Sequence, residues 1–105
     1  MKELGKLGLM GMLIPEEHGG AGVDYVSMAL AIEEIAAADG AISTIVSVQN
    51  SLVGAGLLKY GNDWQKKNIL TPLARGELLG AFALTEAQAG SDAAALRCSA
   101  RKEGD

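Results

Sequence analysis

An uncharged stretch from Ala41 to Leu58 constrains the fold of this chain more than any other feature. Within it, mainly apolar residues recur at helical spacing and form one stripe: Ile42, Ile45, Val46, Gln49, Leu52 and Val53. The stretch approaches the length of a membrane-spanning helix, but it also contains several Ser, Thr, Gln and Asn residues. We therefore predict a central helix of an α-helical domain, buried on most sides, and no membrane span.

Further helices are predicted on both sides of this stretch, after a short helical end at residues 2–9. Asp24 is a good N-cap for a helix that ends at Asp39-Gly40, with a stripe made of Tyr25, Met28, Ala29, Ile32, Ile35 and Ala36. Residues 12–15 are predicted to be extended because Pro15 disfavours the helical region before it. Asn62 or Asp63 caps a third helix, which Pro72 is expected to break or restart and Gly76 to end.

The pattern changes at Leu78. Residues 79–84 form a short apolar run between turn signals, which is typical of a buried strand. Residues 85–92 form a polar loop that contains glycine, and residues 96–101 alternate loosely, like the start of a second strand. Since a lone two-stranded hairpin is marginal in water, we expect the sequence to be truncated within a β-region.

The composition excludes several classes of protein. Hydrophobic residues make up 49% of the chain and aromatic residues 4%, so the core must be mainly aliphatic. The formal net charge is −4 and the Lys and Arg residues are scattered singly, which argues against a nucleic-acid partner. Cys98 is the single cysteine, so an internal disulfide is excluded, and we expect a small buried side chain there. Glycines and Glu3 interrupt the apolar N-terminus, which argues against a signal peptide.

Three weaker motifs are better explained by structure. The run from His18 to Gly22 is similar to an esterase oxyanion loop, but no G-x-S-x-G elbow exists, so an ordinary turn is predicted. One His, one Cys and the adjacent Glu33-Glu34 do not make a metal site. Gly54-Ala55-Gly56 lies inside a predicted helix, where small residues permit close packing, and not in a dinucleotide loop.

The most informative segment runs from Phe82 to Asp92. Here a predicted strand leads into a turn with free backbone donors, the hydroxyls of Thr85 and Ser91, and a glycine at Gly90. Such a turn can hydrogen-bond a planar heterocycle or a polar chain. From the residues alone, a capped surface turn is favoured over a ligand-binding turn.

Residues 83–95, A-L-T-E-A-Q-A-G-S-D-A-A-A, resemble the first signature of the acyl-CoA dehydrogenases. They depart from it at Ala87, where many members have proline. Residues 9–22, which contain P-E-E-H-G-G, are similar to another stretch of the family. The segments 58–61, 65–67 and 73–77 resemble its connecting helices, so the resemblance covers nearly the whole chain in the family's order.

The resemblance implies a mainly α fold, with an N-terminal helical domain running into the first strands of a β-barrel domain. Residues 1–77 would be the helical domain, incomplete at its start, and 78–105 the beginning of the middle β-domain. The residues implied to line FAD are Phe82, Ala83, Leu84, Thr85, Glu86, Ala87, Gln88, Ala89, Gly90 and Ser91. The residues implied to contact the acyl-CoA are Ser91, Thr44, Ile45 and Val48. No position corresponds to the family's catalytic glutamate in its C-terminal bundle, and no metal is implied.

The resemblance also implies the activity: α,β-dehydrogenation of a saturated acyl-CoA to the trans-2-enoyl-CoA, as in fatty acid β-oxidation. Electron-transfer flavoprotein would be the partner of a full-length homotetramer in the bacterial cytoplasm or the mitochondrial matrix. The fragment alone would be inactive. Two alternatives stay open: a non-catalytic helical module that pairs with another chain, and an acyl-CoA oxidase-type flavoprotein.

Overall fold

The structure is a computed structural model that describes residues 1–104, and it is mainly helical. Its four helices are α1 (Lys2–Lys6), α2 (Tyr25–Ala38), α3 (Gly40–Tyr60) and α4 (residues 63–74). Short 3₁₀ turns occur at Leu9–Gly11, Glu16–His18 and Ala93–Ala95. The prediction of a mainly α fold is confirmed.

Side-chain caps set the ends of the helices. The Asp24 carboxylate accepts a hydrogen bond from the Ser27 N–H at 2.7 Å, which starts α2 and lowers the pKa of that carboxyl. Asp39 ends α2 and also caps α3, since its carboxylate accepts from the N–H groups of Ala41 and Ile42 at 2.8 and 3.0 Å. Asn62, rather than Asp63, caps α4 through a capping box.

Pro72 lies inside α4 without ending it, and of the two predicted outcomes it is the restart that occurs, since an α-helical stretch begins again at Thr71. The helix is α-helical at Asp63–Gln65, widens to a π-helix at Lys66–Leu70, and is α-helical again at Thr71–Ala74. The widened turn just before Pro72 accommodates a residue that has no N–H and whose ring crowds the preceding turn. Gly76 ends the helix with φ 68, as predicted.

The core consists of two clusters, and α3 contributes side chains to both. One cluster joins the N-terminal segment to α2 and α3, and its members are Met10, Met12, Met28 and Val46. The other joins Ile14 to Leu70 and Ala74 of α4. Gly54 allows this approach, because a Cβ there would lie 2.9 Å from the Ile14 Cδ1. The structural interpretation of the Gly54-Ala55-Gly56 run is therefore confirmed at Gly54.

The glycine-rich turn after Pro15 is part of the scaffold. The N–H groups of Ala21, Gly22 and Val23 donate to carbonyls of residues 11, 14 and 12 at 2.8–2.9 Å. A side chain at Gly20 would collide with the Ile14 carbonyl. Residues 12–14 form turns, so the predicted extended conformation was wrong there. The turns direct the carbonyls of residues 12 and 14 towards the N–H groups of Val23 and Gly22. An ordinary turn at residues 18–22 is confirmed.

The predicted stripe of α2 is only partly buried. Met28 is buried, and Ile32 and Ile35 pack against the same cluster. Tyr25 is 72% exposed, and Ala29 and Ala36 are also exposed, so their predicted burial was wrong. Helix α2 contacts the rest of the described chain along a narrow line, which leaves these neighbouring positions facing outwards.

Helix α3 is long and apolar enough to cross a membrane by length and composition alone. Core helices of soluble proteins pass the same test. Two of its amides, Gln49 and Asn50, are at most 2% exposed and hydrogen-bond other segments of the chain. These hydrogen bonds fit a helix packed against other parts of a protein. The predicted burial on most sides was wrong, because most of α3 is at least partly exposed, including Ile45 and Leu52 of the predicted stripe.

Neither predicted strand forms within residues 1–104. Residues 79–84 and 96–101 have no regular secondary structure, and the nearest feature is an isolated antiparallel bridge between Glu86 and Ala89. A strand needs a hydrogen-bonded neighbour, and no ladder joins the two segments within the part of the chain that the structure describes. The expectation that this region begins a β-domain stays a prediction.

Candidate functional site

The motif loop, defined here as residues 82–91, projects from the helical part of the molecule. A tight turn shapes its centre, since the Glu86 N–H donates to the Ala89 carbonyl at 2.9 Å and the Ala89 N–H donates back at 3.1 Å. Ala89 is buried and Glu86 is half-buried, whereas the other eight residues are exposed. The loop therefore presents most of its surface outwards on an ordered turn.

Glu86 ties the motif loop to the chain that follows it. Its carboxylate accepts hydrogen bonds from the backbone N–H groups of Arg97 at 3.0 Å and Cys98 at 2.9 Å, and also from the Gln88 side-chain amide. These hydrogen bonds, that of Arg97 foremost, lower the pKa of the Glu86 carboxyl. Its oxygens are thus occupied within the chain, a role that the sequence alone did not indicate.

The remaining groups of the motif loop are free to meet a ligand. Phe82 and Leu84 are 50% and 43% exposed. Thr85 and Ser91 are exposed, and neither hydroxyl makes a hydrogen bond within residues 1–104. At Gly90 the space is open, because a Cβ would meet only the Thr85 methyl at 4.0 Å. Apolar surface, hydroxyls and uncovered backbone together suit a planar heterocycle with polar edges.

The predicted acyl-contacting residues form a patch on α3. Thr44 and Ile45 are exposed, and Val48 is half-buried one turn further along. The Thr44 hydroxyl donates to the Gly40 carbonyl at 2.9 Å, so the side chain has a fixed direction. The patch is mainly apolar and accessible, which permits contact with an aliphatic chain.

Gln49 connects this helix to the segment that leads into the motif loop. Its Nε2 donates to the carbonyls of Leu73 and Leu78 at 2.9 and 3.1 Å, and its Oε1 accepts from the Gly80 N–H at 2.9 Å. The sequence pattern places Gln49 in an apolar stripe and does not indicate these hydrogen bonds. The available signal was a pair of adjacent amides in an otherwise apolar run.

Asn50 makes the corresponding connection to the N-terminal segment. Its Nδ2 donates to the carbonyls of Leu9 and Val46, both at 2.9 Å, and its Oδ1 accepts from the Leu13 N–H at 3.3 Å. Two adjacent residues at the start of a π-helical turn, Gln49–Gly54, thus hold two different segments of the chain. Such turns are frequent near functional sites.

Other candidate chemistry is weak in the described residues. Across residues 1–104, no group of three His, Cys, Asp or Glu side chains could hold a metal ion. Cys98 is exposed, so its predicted burial was wrong. The reason is that its segment has no strand partner in the described part of the chain.

The sequence model of the acyl-CoA dehydrogenase N-terminal domain matches residues 1–77. That match covers well over half of the chain. The protein therefore belongs to the acyl-CoA dehydrogenase family.

Individual relatives agree with this assignment. The short-chain specific acyl-CoA dehydrogenase of Mus musculus mitochondria is 46% identical over 105 residues, which are all of this chain and 26% of the relative. A chain in the solved structure of the electron transferring flavoprotein of Acidaminococcus fermentans matches with a TM-score of 0.83 and 39% identity, over 90% of this chain and 25% of that one. The acyl-CoA dehydrogenase of Bacillus anthracis, solved in complex with FAD, matches with a TM-score of 0.73 and 46% identity, over 90% of this chain and 16% of that one. This chain thus spans about a quarter of the mouse relative that it matches.

Proposed function

We propose that this chain is the N-terminal part of an FAD-dependent enzyme that oxidises a saturated acyl-CoA to the trans-2-enoyl-CoA. The observation that carries the proposal is the motif loop, which combines the family signature with exposed, unpaired hydroxyls on an ordered turn. The acyl-CoA loses a proton from Cα and a hydride from Cβ in this reaction. The mouse relative is a short-chain enzyme, which favours a short acyl chain.

The motif loop would hold the isoalloxazine of FAD. Phe82 and Leu84 offer apolar surface, while the Thr85 hydroxyl and the uncovered backbone at Gly90 offer polar contacts to a ring edge. These groups fit the cofactor, because Phe82, Leu84, Thr85 and Gly90 are all exposed. When bound, the flavin supplies the redox chemistry by accepting the hydride.

The α3 patch of Thr44, Ile45 and Val48 would line the path of the acyl chain, and Ser91 would also meet the acyl-CoA. The acyl chain would then be held mainly by the helical domain, and the cofactor by the segment that follows it. Holding the reacting carbon in a fixed position converts binding energy into rate.

Glu86 is not suited to take the α-proton. Its carboxylate already accepts two backbone hydrogen bonds, and its lowered pKa makes it a weaker base. The base would therefore be a glutamate outside this chain. For this reason we propose that the chain alone has no turnover.

The same reasoning extends to partners and organisation. Family membership supports four further proposals. These are a domain boundary between residues 77 and 78, an electron-transfer flavoprotein as electron acceptor, a homotetrameric enzyme, and a place in fatty acid β-oxidation. The bacterial cytoplasm and the mitochondrial matrix both fit, since one relative is mitochondrial and another is from Bacillus subtilis.

A chimera tests the proposal. In it, this chain replaces the matching segment of the mouse short-chain enzyme. We expect purified chimera to contain flavin and to convert butyryl-CoA to crotonyl-CoA with an electron acceptor, whereas the isolated chain with added FAD gives no crotonyl-CoA. A folded chimera without flavin, or turnover by the isolated chain, would contradict the proposal.

Two variants of the chimera test the motif loop itself. Thr85→Val and Ser91→Ala each remove one hydroxyl and should weaken flavin binding about fivefold, the value of one hydrogen bond. Ser99→Ala is the matched control, because Ser99 is exposed and lies outside the motif loop. Equal flavin affinity in all three variants would exclude the motif loop as the flavin contact.

A further inference from the structure

The segment between α4 and the motif loop, residues 78–80, is held against α3 at one point. The Leu78 carbonyl accepts from the Gln49 Nε2 at 3.1 Å, and the Gly80 N–H donates to the Gln49 Oε1 at 2.9 Å. One side chain therefore binds both the first and the last residue of the segment. Gln49 is only 2% exposed, so water cannot readily replace these hydrogen bonds.

Packing reinforces the same contact. Gly80 lies directly against the Val53 side chain, about one helical turn after Gln49, and a Cβ at this position would collide with the Val53 Cγ1. Gln49 also donates to the Leu73 carbonyl at 2.9 Å, which joins the end of α4 to the same point. The segment thus leaves the helical domain in a direction set by α3.

The proposed acyl-contacting patch lies on that same helix. Val48 is adjacent to Gln49, and Thr44 and Ile45 lie about one turn before it. Any shift of Gln49 relative to the segment 78–80 would therefore move the motif loop relative to the patch.

We propose that Gln49 is a positioning residue that fixes the motif loop relative to the acyl-contacting patch of α3. This inference rests on the proposed function for the identity of the two ligands. The contact of Gln49 with residues 78–80 does not depend on the proposed function. Gln49 would touch neither flavin nor substrate and would act through Leu78 and Gly80. Its loss would misplace the reacting carbon without removing a ligand contact.

The structural part is tested in this chain, without flavin, by residue-resolved amide hydrogen exchange. In the wild-type chain the Gly80 N–H should exchange at least about tenfold more slowly than that of exposed Ala81, because the Gly80 N–H is hydrogen-bonded and partly buried. Gln49→Met keeps a straight side chain of similar size but removes all three hydrogen bonds, and it should abolish this difference. Gln49→Glu keeps an acceptor for Gly80 and should retain part of the protection.

Asn50→Leu is the matched control, since Asn50 is equally buried on the same turn but holds residues 9 and 13. It should lower the Tm and leave the exchange of Gly80 relative to Ala81 unchanged. An unprotected Gly80 in the wild-type chain overturns the proposal, and this measurement needs no variant to fold. Equal deprotection by Asn50→Leu overturns it as well.

The functional part is tested in the chimera. With Gln49→Met, kcat should fall by roughly tenfold to a hundredfold, as expected for a misplaced reacting group, with flavin content and KM almost unchanged. At temperatures below its Tm, the Asn50→Leu chimera should have the same kcat as the wild-type chimera. A wild-type chimera without flavin contradicts the proposed function alone, whereas an unchanged kcat in a flavin-loaded Gln49→Met chimera contradicts the role of Gln49.

Discussion

Single polar side chains hold the parts of this molecule that lack regular secondary structure. Gln49 fastens the chain before the motif loop, and Glu86 fastens the chain after it, through the N–H groups of Arg97 and Cys98. Both use charged or amide oxygens to satisfy backbone donors that would otherwise belong to a strand. The motif loop therefore has a defined shape although no strand forms within residues 1–104.

Acidification should release the contact made by Glu86. Its folded-state pKa lies below the ordinary value of 4.5, so the ionised carboxylate stabilises the loop above pH 4.5. That contribution is lost as the pH falls below 4.5 and through the lowered pKa. We expect the NMR amide signals of Arg97 and Cys98 to shift towards disordered positions only in that acidic range.

Substitution of Glu86 provides the check. Glu86→Gln keeps only one acceptor oxygen, so at neutral pH one of the two amide signals should already resemble that of the acidified chain. Glu77→Gln, at an exposed glutamate outside this turn, should leave both signals unchanged. Acid-induced shifts of the same size in the Glu86→Gln chain would show that another group causes them.

At the scale of the element, α3 is the organising helix. Its Val46 belongs to one core cluster, and its Gly54 leaves room for Ile14. Two buried amides of α3 hydrogen-bond the N-terminal segment and the end of α4. Helix α4 completes the second cluster through Leu70, which is fully buried. Helix α2, by contrast, leaves much of its apolar surface exposed. The stability of the helical part should therefore depend far more on α3 and α4 than on the outer face of α2.

Two leucines compare these elements directly. Leu70→Ala should lower the free energy of unfolding by about 2–5 kcal/mol, because a fully buried side chain is removed and a cavity remains. Leu30→Ala on α2 is the matched control, since Leu30 is 59% exposed, and it should change stability by less than about 0.5 kcal/mol. Urea unfolding followed by circular dichroism measures both. Equal losses for the two variants would contradict the packing described for α4.

At the scale of the whole molecule, a helical body carries an extended C-terminal segment. The radius of gyration is 15.0 Å, with extents of 41 × 32 × 22 Å. A compact domain of this length has a radius of gyration of about 13 Å. The difference arises because residues 81–104 are mostly exposed and contain only a tight turn and the short Ala93–Ala95 helix.

Limited proteolysis should reveal this division. Brief treatment with proteinase K is expected to cut first within residues 81–104, because unprotected chain cleaves faster than packed helices. Mass spectrometry should then find a protected fragment ending near Gly80, because Gly80 is the last residue of the segment that Gln49 holds. First cuts within α3 or α4 would contradict this organisation.

Much of the fold could be predicted from local patterns. The Asp24 cap acts within one turn, and Gly76 ends α4 by a backbone conformation that glycine adopts readily, so neither depends on distant residues. The order of residues 83–95 indicated a family resemblance, and the match of residues 1–77 to the family's N-terminal domain confirmed the family. The functions predicted for those residues remain predictions to be tested by the chimera.

Tertiary structure decided the features that depend on distant neighbours. Periodicity predicted an apolar stripe on α2, but only packing selected Met28 for the core and left Tyr25 outside. Pro72 continues α4 because a π-helical turn forms before it. Gln49 and Glu86 bind backbone groups that lie 11 to 31 residues away in the sequence. Caps and turns are local interactions that a sequence determines by itself, whereas burial and long-range hydrogen bonds exist only once the chain has brought separate segments together.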